Sequence, residues 1–203
     1  MNIQERDEIA ARFGVAPAQV ERDHLISFVL AFLSAKFQER LHFIGGTALA
    51  RTHLPHGRLS EDIDLIAVGD RSVLAYELDA ALPRAFPRTH GRLVWTPPFN
   101  VASDVAPASL RSASGLSIKI QLLSPKGRAL WPVERHRLVQ RYSDAPVAEL
   151  LVPTLPAFVA SKTVAWRDRG APRDLWDLWA LSEMDAIDAA CPRSRNSPGV
   201  VVT

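Results

Sequence analysis

The stretch Phe43-Ile-Gly-Gly-Thr-Ala-Leu-Ala-Arg-Thr-His-Leu-Pro-His-Gly-Arg-Leu-Ser-Glu-Asp-Ile-Asp-Leu-Ile-Ala-Val68 decides how the rest of the chain is read. Leu41 to Ile44 is predicted as a strand ended by Gly45-Gly46, Thr47 to Leu54 as a helix stopped by Pro55 and Gly57, and Asp62 to Val68 as a second strand. One residue separates Asp62 from Asp64. On a strand both carboxylates share a face while Ile63 and Leu65 enter the core; on a helix they would diverge by about 200°. Two hard oxygen ligands so placed suit a Mg²⁺ or Mn²⁺ ion that also binds phosphates. Gly45-Gly46 lets the backbone approach a ligand, the following helix N-terminus offers N–H groups, Thr47 a hydroxyl, and Arg58 charge-assisted hydrogen bonds. A phosphate cradle facing a metal-binding carboxylate pair is the expectation, able to present the α-phosphorus of a nucleoside triphosphate for in-line attack. Singly, each element has a plainer meaning: Gly-Gly a packing turn, Asp-x-Asp a solvated loop. Their order, with both strands in place, points to the chemistry.

Outward from this stretch, residues 3 to 13 are predicted as a charged helix closed by Gly14, and Pro17 opens a longer one to Phe37 with apolar positions at helical spacing. Ser72 is expected to cap a helix through Val73, Leu74, Leu78 and Leu82. Strands are expected at 93–96, 99–103 and 116–123, the last with Ser117, Lys119 and Gln121 on one face and Ile118, Ile120 and Leu122 on the other. A helix pair follows, Thr154 to Arg167 and Pro172 to Leu181, broken at Gly170. The fold class is therefore α+β, a mixed sheet with flanking helices followed by a small helical lobe. The domains expected are 1–150 for the core, 151–190 for a helical lobe completing the active cleft, and 191–203 for a disordered, Pro/Ser/Arg-rich tail.

The 203 residues, 47% hydrophobic, suffice for one core with an appendage. A net charge of +2 permits an anionic partner without demanding one. A single cysteine, Cys191, excludes an intramolecular disulfide and a thiolate metal site. No signal-peptide pattern or membrane-length apolar run is present, so no membrane partner and a cytoplasmic location are expected.

Gly45-Gly46-Thr47-Ala48-Leu49 followed by Arg58-Leu59-Ser60-Glu61-Asp62-Ile63-Asp64-Leu65 resembles the AbiEii/AbiGii-type nucleotidyltransferases, MenT-like toxins of type IV toxin-antitoxin systems within the polymerase-beta-like superfamily. Ala160-Ser161-Lys162 and Arg173-Asp174-Leu175-Trp176-Asp177-Leu178 resemble the family's downstream Lys and Arg-Asp-Leu-x-Asp-Leu motifs, so the likeness spans roughly residues 41 to 182. The resemblance implies triphosphate binding by Gly46, Thr47, Ser60 and Lys162, beside Gly45 and Arg58 from the cradle reading, metal binding by Asp62 and Asp64, and catalytic roles for Asp62, Asp64, Lys162 and Asp174. The plainer alternatives are a surface lysine at 162 and a first-turn acid at 174. One departure stands out. Where the superfamily often carries a third carboxylate on a later strand, this chain offers Lys119 and Gln121, which leaves the general base open between Asp64, metal-bound water and the substrate, with Asp104 as a further candidate.

The resemblance further implies transfer of NMP from NTP to an RNA acceptor, the tRNA 3′ end foremost, with a cognate antitoxin as partner. The basic stretch Lys126, Arg128, Arg135, Arg137 and Arg141, with Trp131 and Tyr142, is a candidate RNA surface, its plainer alternative a solvated basic hairpin. Thr47 and Ser60 are candidate regulatory phosphorylation sites, since a phosphoryl group there would occupy the place of the substrate's phosphates. Competing readings are transfer to a small molecule or protein hydroxyl, and a catalytically inactive nucleotide-binding module.

Overall fold

A computed structural model describes residues 1–59, 61–126 and 130–187; Ser60, Arg128 and the predicted tail at 191–203 lie outside the described residues. The chain divides into two compact units, Met1–Thr154 and Leu155–Thr203. The first contains α1 (Ile3–Phe13), α2 (Pro17–Phe37), β1 (Leu41–Ile44), α3 (Gly45–Arg51), β2 (Asp62–Ala67), α4 (Arg71–Ala81), β3 (Leu93–Thr96), β4 (Ala108–Ser112), β5 (Ser117–Leu123), β6 (Val133–Arg137) and β7 (Glu149–Pro153). The second contains α5 (Leu155–Arg169) and α6 (Pro172–Ser182).

The seven strands form one sheet in the order β3-β4-β5-β2-β1-β7-β6. It is mixed: β2 runs antiparallel to β1 and parallel to β5, and β1 runs parallel to β7. The α+β expectation holds, and the physical reason is visible in alternation. Ile63, Leu65, Ile118, Ile120, Leu122, Ala108 and Leu110 are at most 1% exposed, while the residues between them, Asp64, Lys119, Gln121 and Ser109, are partly or fully exposed. Against this apolar side lie α2, whose Leu25, Ile26, Val29, Leu30 and Leu33 are fully buried, and α4 with Leu74, Ala75 and Leu78.

Local expectations are corrected in four places. α3 begins at Gly45 instead of Thr47 and ends at Arg51. The cap of α4 is Asp70, whose side chain accepts from the Ser72 and Val73 amides; a carboxylate two residues earlier takes the role assigned to Ser72. The segment 99–103 is a turn tethered by Asp79, which accepts from the Phe99 amide at 2.6 Å, so its alternating pattern comes from a loop whose Phe99 stacks on Trp95. Finally, β4, β6 and β7 were not expected. β6, Val-Glu-Arg-His-Arg, is an edge strand whose polar composition carries no apolar alternation, and charges on an edge discourage pairing with another chain.

A buried ionic network fastens the first unit together. Asp23 on α2 is 2% exposed and Arg51, the last residue of α3, is 0% exposed; Arg51 Nη2 lies 2.8 Å from Asp23 Oδ1. Arg51 also donates to the carbonyls of Asp23 and Val139 and to Gln140 Oε1 at 3.0–3.1 Å. Tyr142 donates its hydroxyl to Asp23 Oδ2 at 2.9 Å, and Arg141 donates to the Ala50 carbonyl at 2.6 Å. Burial, then the neighbouring Arg51 cation, pushes the Arg141 guanidinium down to about 10, and burial raises the Tyr142 phenol above its ordinary value. Both groups keep their usual neutral-pH forms. Removing one partner of a buried pair leaves a charge without compensation, a loss of about 3 kcal/mol or more. Arg51→Met is therefore expected to lower the unfolding free energy measured in urea by that amount with an unchanged slope, and Asp23→Leu/Arg51→Met to recover much of it. A single variant as stable as the parent contradicts this.

Candidate active site

Both arms of the site grow out of adjacent strands. In the antiparallel pairing of β1 with β2, Ile44 stands opposite Asp64 and Phe43 opposite Leu65. The chain leaves β1 at Gly45 with φ +79°, a left-handed conformation that admits glycine without strain. A Cβ at Gly45 would overlap Asp64 Oδ2 and lie 3.2 Å from Asp64 Cγ. Gly45 thus meets two demands at once, a backbone turn and close approach to a carboxylate. Gly46 follows in the first turn of α3.

Asp62 and Asp64 are half-buried on the open side of β2, while Ile63 and Leu65 are fully buried behind them. Among the described residues Asp62 makes no ion pair. Two carboxylates on one strand face, one of them pressed against a glycine, fit a divalent cation completed by substrate oxygens and water. Among the described residues no group of three or more His, Cys, Asp or Glu side chains could hold a metal. In the parallel pairing of β2 with β5, Asp62 stands beside Lys119 and Asp64 beside Gln121. Gln121 Nε2 donates to the Asp104 carbonyl at 2.9 Å, so the position where a third carboxylate was sought is an engaged neutral amide.

Thr47 departs from expectation. It is 2% exposed and its hydroxyl donates to the Asp62 carbonyl, tying α3 to β2 instead of facing a ligand. A buried donor with a backbone acceptor is poorly placed both for a phosphate and for a kinase. Arg58 lies half-buried on the connection before β2. That connection is anchored on both sides of Ser60: Leu59, 5% exposed, packs with Ile9, Ala10, Val20 and Tyr142, and Glu61 Oε2 lies 3.2 Å from Arg22 Nη1.

Within the helical unit, Lys162 is 6% exposed, which overturns the surface-lysine alternative. Its ammonium lies 2.6 Å from Asp177 Oδ2 and 3.3 Å from Asp174 Oδ1. Asp174 is fully buried and also accepts from Arg169 Nε and Nη2 at 2.6 and 2.8 Å; that bonding, opposed by burial and aided by the Lys162 charge, lowers its carboxyl below the usual range. The anionic partner that a buried lysine needs is supplied here by two carboxylates of the same unit.

The basic stretch is dispersed. Arg141 and Tyr142 belong to the buried network, with the Arg141 side chain 6% exposed and Tyr142 4% exposed. Arg135 is paired with Glu39 and Glu149, leaving Lys126 and Arg137 as exposed cations. Arginine spacing cannot distinguish a surface cation from one folded inward onto an acid on a distant helix.

The family model described as "Nucleotidyl transferase AbiEii toxin, Type IV TA system" matches residues 28–192. The chain belongs to this family. Among solved structures, the AbiEii chain is similar to MenT4, a nucleotidyltransferase toxin from Mycobacterium tuberculosis H37Rv, at 24% identity and a TM-score of 0.66, over 88% of this chain and 64% of that one. This likeness shows the fold, a mixed sheet with flanking helices shared with that toxin, and the chain spans just under two thirds of that toxin's length. A nucleotidyltransferase-like antigenic protein from Paracoccidioides brasiliensis shares 16% identity over 80% of this chain and 77% of its own, at a TM-score of 0.49, too low to support argument. No curated protein matches the chain.

Sequence reasoning missed Asp23 and Arg51 as organisers of the AbiEii site. The signal was present: Asp23 falls on the same helical face as buried Val20 and Ser27, and Arg51 follows buried Ala48 by one turn. Gly45→Ala forces a left-handed alanine, costing about 1 kcal/mol, and displaces the Asp64 carboxylate. It is expected to lower kcat/KM for nucleotide transfer at least tenfold while shifting the thermal midpoint by only a few degrees; full activity would contradict the close approach.

Proposed function

We propose that this AbiEii-family chain is a toxin that transfers a nucleoside monophosphate from an NTP to an RNA acceptor, the tRNA 3′ end foremost, and so blocks translation and growth. The single observation that carries this reading is Gly45 fitted against Asp64 at the β1–α3 turn, with Asp62 beside it on β2. A carboxylate pair beside a glycine turn is an arrangement in which a divalent ion and the oxygens of a triphosphate would meet.

In the reaction the acceptor hydroxyl oxygen forms a bond to the α-phosphorus, the bond to the bridging oxygen of the pyrophosphate breaks, and pyrophosphate leaves in line. Gly45 and Gly46 admit the triphosphate, and Arg58 is the cation nearest in sequence to the pair that can meet its oxygens. A Mg²⁺ or Mn²⁺ ion held by Asp62 and Asp64 would neutralise charge on the transferring phosphoryl group. The acceptor proton passes to a carboxylate of β2 or to solvent, because Gln121, a neutral amide bonded to the Asp104 carbonyl, is no base. Thr47 holds α3 on β2 through the Asp62 carbonyl. Lys162 and Asp174, paired within the helical unit, serve the same reaction in this reading through the integrity of that unit. Ser60 remains a candidate both for triphosphate binding and for regulatory phosphorylation.

A cognate antitoxin and a cytoplasmic site of action belong to the same proposal. No helix among the described residues is long and apolar enough to cross a membrane. The test is incubation with each α-labelled NTP, Mg²⁺ and total tRNA beside Asp62→Ala. Label in RNA that depends on Asp62 is the expected result. Asp62-dependent label in protein or a small molecule supports the alternative acceptor class, and absence of transfer from every NTP overturns the reading.

A further inference from the structure

β2 has different neighbours on its two sides. On one side are β1 and α3, with the Gly45–Thr47 turn; on the other the sheet continues through β5, β4 and β3. The registers place Asp62 beside Lys119, Lys119 beside Ser109, and Ser109 beside Thr96, a single row across four strands. A second row puts Ser117 beside Arg111 and Arg111 beside Val94. Paired residues share a sheet face, so the face that carries Asp62 and Asp64 continues outward as Lys119, Ser109, Arg111, Thr96 and Val94. The opposite face of these strands is the core.

This continuation is open and cationic. Lys119, Arg111 and Thr96 are exposed and Val94 is 60% exposed. Among the described residues neither Lys119 nor Arg111 makes an ion pair, in contrast to Arg135, Arg141 and Arg51, which all do. Strand spacing of about 4.8 Å puts Lys119 one step and Thr96 about 14 Å from Asp62, a length that accommodates more than one nucleotide. In-line transfer requires the acceptor and the leaving pyrophosphate on opposite sides of the α-phosphorus. With the triphosphate on the α3 side of β2, the acceptor side is that of β5.

We infer that the sheet face formed by Lys119, Arg111, Ser109 and Thr96 binds the single-stranded end of the RNA acceptor and leads its terminal hydroxyl to Asp62 and Asp64. This rests on the nucleotidyltransferase reading above. Lys119 and Arg111 neutralise backbone phosphates, and the hydroxyls of Ser109 and Thr96 bond to phosphate or ribose. Lys119 takes the strand position beside Asp62, where an acid would repel the incoming backbone. The basic stretch at 126–141 is not needed for this surface.

The test uses a fluorescein-labelled single-stranded RNA oligonucleotide with a free 3′ hydroxyl, followed by anisotropy at several salt concentrations, with the full chain and without NTP. Lys119→Ala/Arg111→Ala is expected to weaken binding at least tenfold and to reduce the slope of log affinity against log salt by about 1.4, two single-strand phosphate contacts. In the transfer assay the same variant raises KM for RNA and leaves KM for NTP unchanged. Arg84→Ala/Arg88→Ala, an exposed pair away from this face, removes equal charge and is expected to bind RNA as the parent does. The inference is overturned if RNA affinity and salt slope are unchanged in the Lys119/Arg111 variant, if the Arg84/Arg88 variant loses as much, if NTP KM rises instead, or if only binding of an acidic protein is lost. RNA binding that depends on Lys119 and Arg111 without Asp62-dependent transfer supports the surface and removes the reaction; transfer with indifferent RNA binding does the reverse.

Discussion

The ion pair between Asp23 and Arg51 is the constraint on which the site depends. Arg51 closes α3, the helix that begins at Gly45, so the guanidinium fixes the far end of the element whose near end turns against Asp64. Asp23 gathers Arg51, Arg141 and Tyr142 around one carboxylate, which joins α2, α3 and the segment after β6. Its neighbour Arg22 pairs with Glu61 at the entrance of β2. Two adjacent residues of α2 therefore hold both arms of the site. The pairs differ in kind: Asp23–Arg51 is fully buried and strongly coupled to folding, whereas Arg22–Glu61 is partly solvated and contributes little to stability. Arg22 and Asp23 precede residue 28, where the match to the AbiEii family begins, so this chain fastens the family's site with residues outside the matched region.

The arrangement divides labour between rigid and open surfaces. On the core side of the sheet, nearly every position is apolar and closed. On the other side, β2 presents two carboxylates and its neighbours present cations and hydroxyls. A mixed sheet makes this possible, because β2 lies between an antiparallel partner that delivers a tight turn to Asp64 and a parallel partner that sets Lys119 and Gln121 beside the acids. The helical unit follows a different logic. Lys162, Asp174, Asp177 and Arg169 neutralise one another at close range, so their charges organise the α5–α6 pair from within.

Much of the central fold was legible in the sequence because it is periodic. Asp-Ile-Asp-Leu alternates as a half-open strand must, and Gly45-Gly46 marks the end of β1, so β1, β2 and the carboxylate pair follow from pattern alone. The alternation of Ser117, Lys119 and Gln121 likewise located β5 and its polar face. What was not legible depends on long-range partners. Thr47 looks like a ligand-facing hydroxyl until the Asp62 carbonyl is seen beside it. Arg141 looks like a surface cation until Asp23, more than a hundred residues away in the chain, is brought to it. β4, β6 and β7 escaped; β4, Ala-Ser-Leu-Arg-Ser, and β6, Val-Glu-Arg-His-Arg, are too polar for their pattern to carry a hydrophobic signal.

In the proposed reaction Asp62 and Asp64 form, with the Gly45 turn, a metal-dependent nucleotide site. Calorimetric titration of each NTP into the full chain, with and without Mg²⁺, tests it most directly when repeated on Asp62→Asn/Asp64→Asn. Mg²⁺-dependent binding of at least one NTP is expected, weakened tenfold or more in the variant at an unchanged thermal midpoint. Equally tight binding in the variant would contradict it.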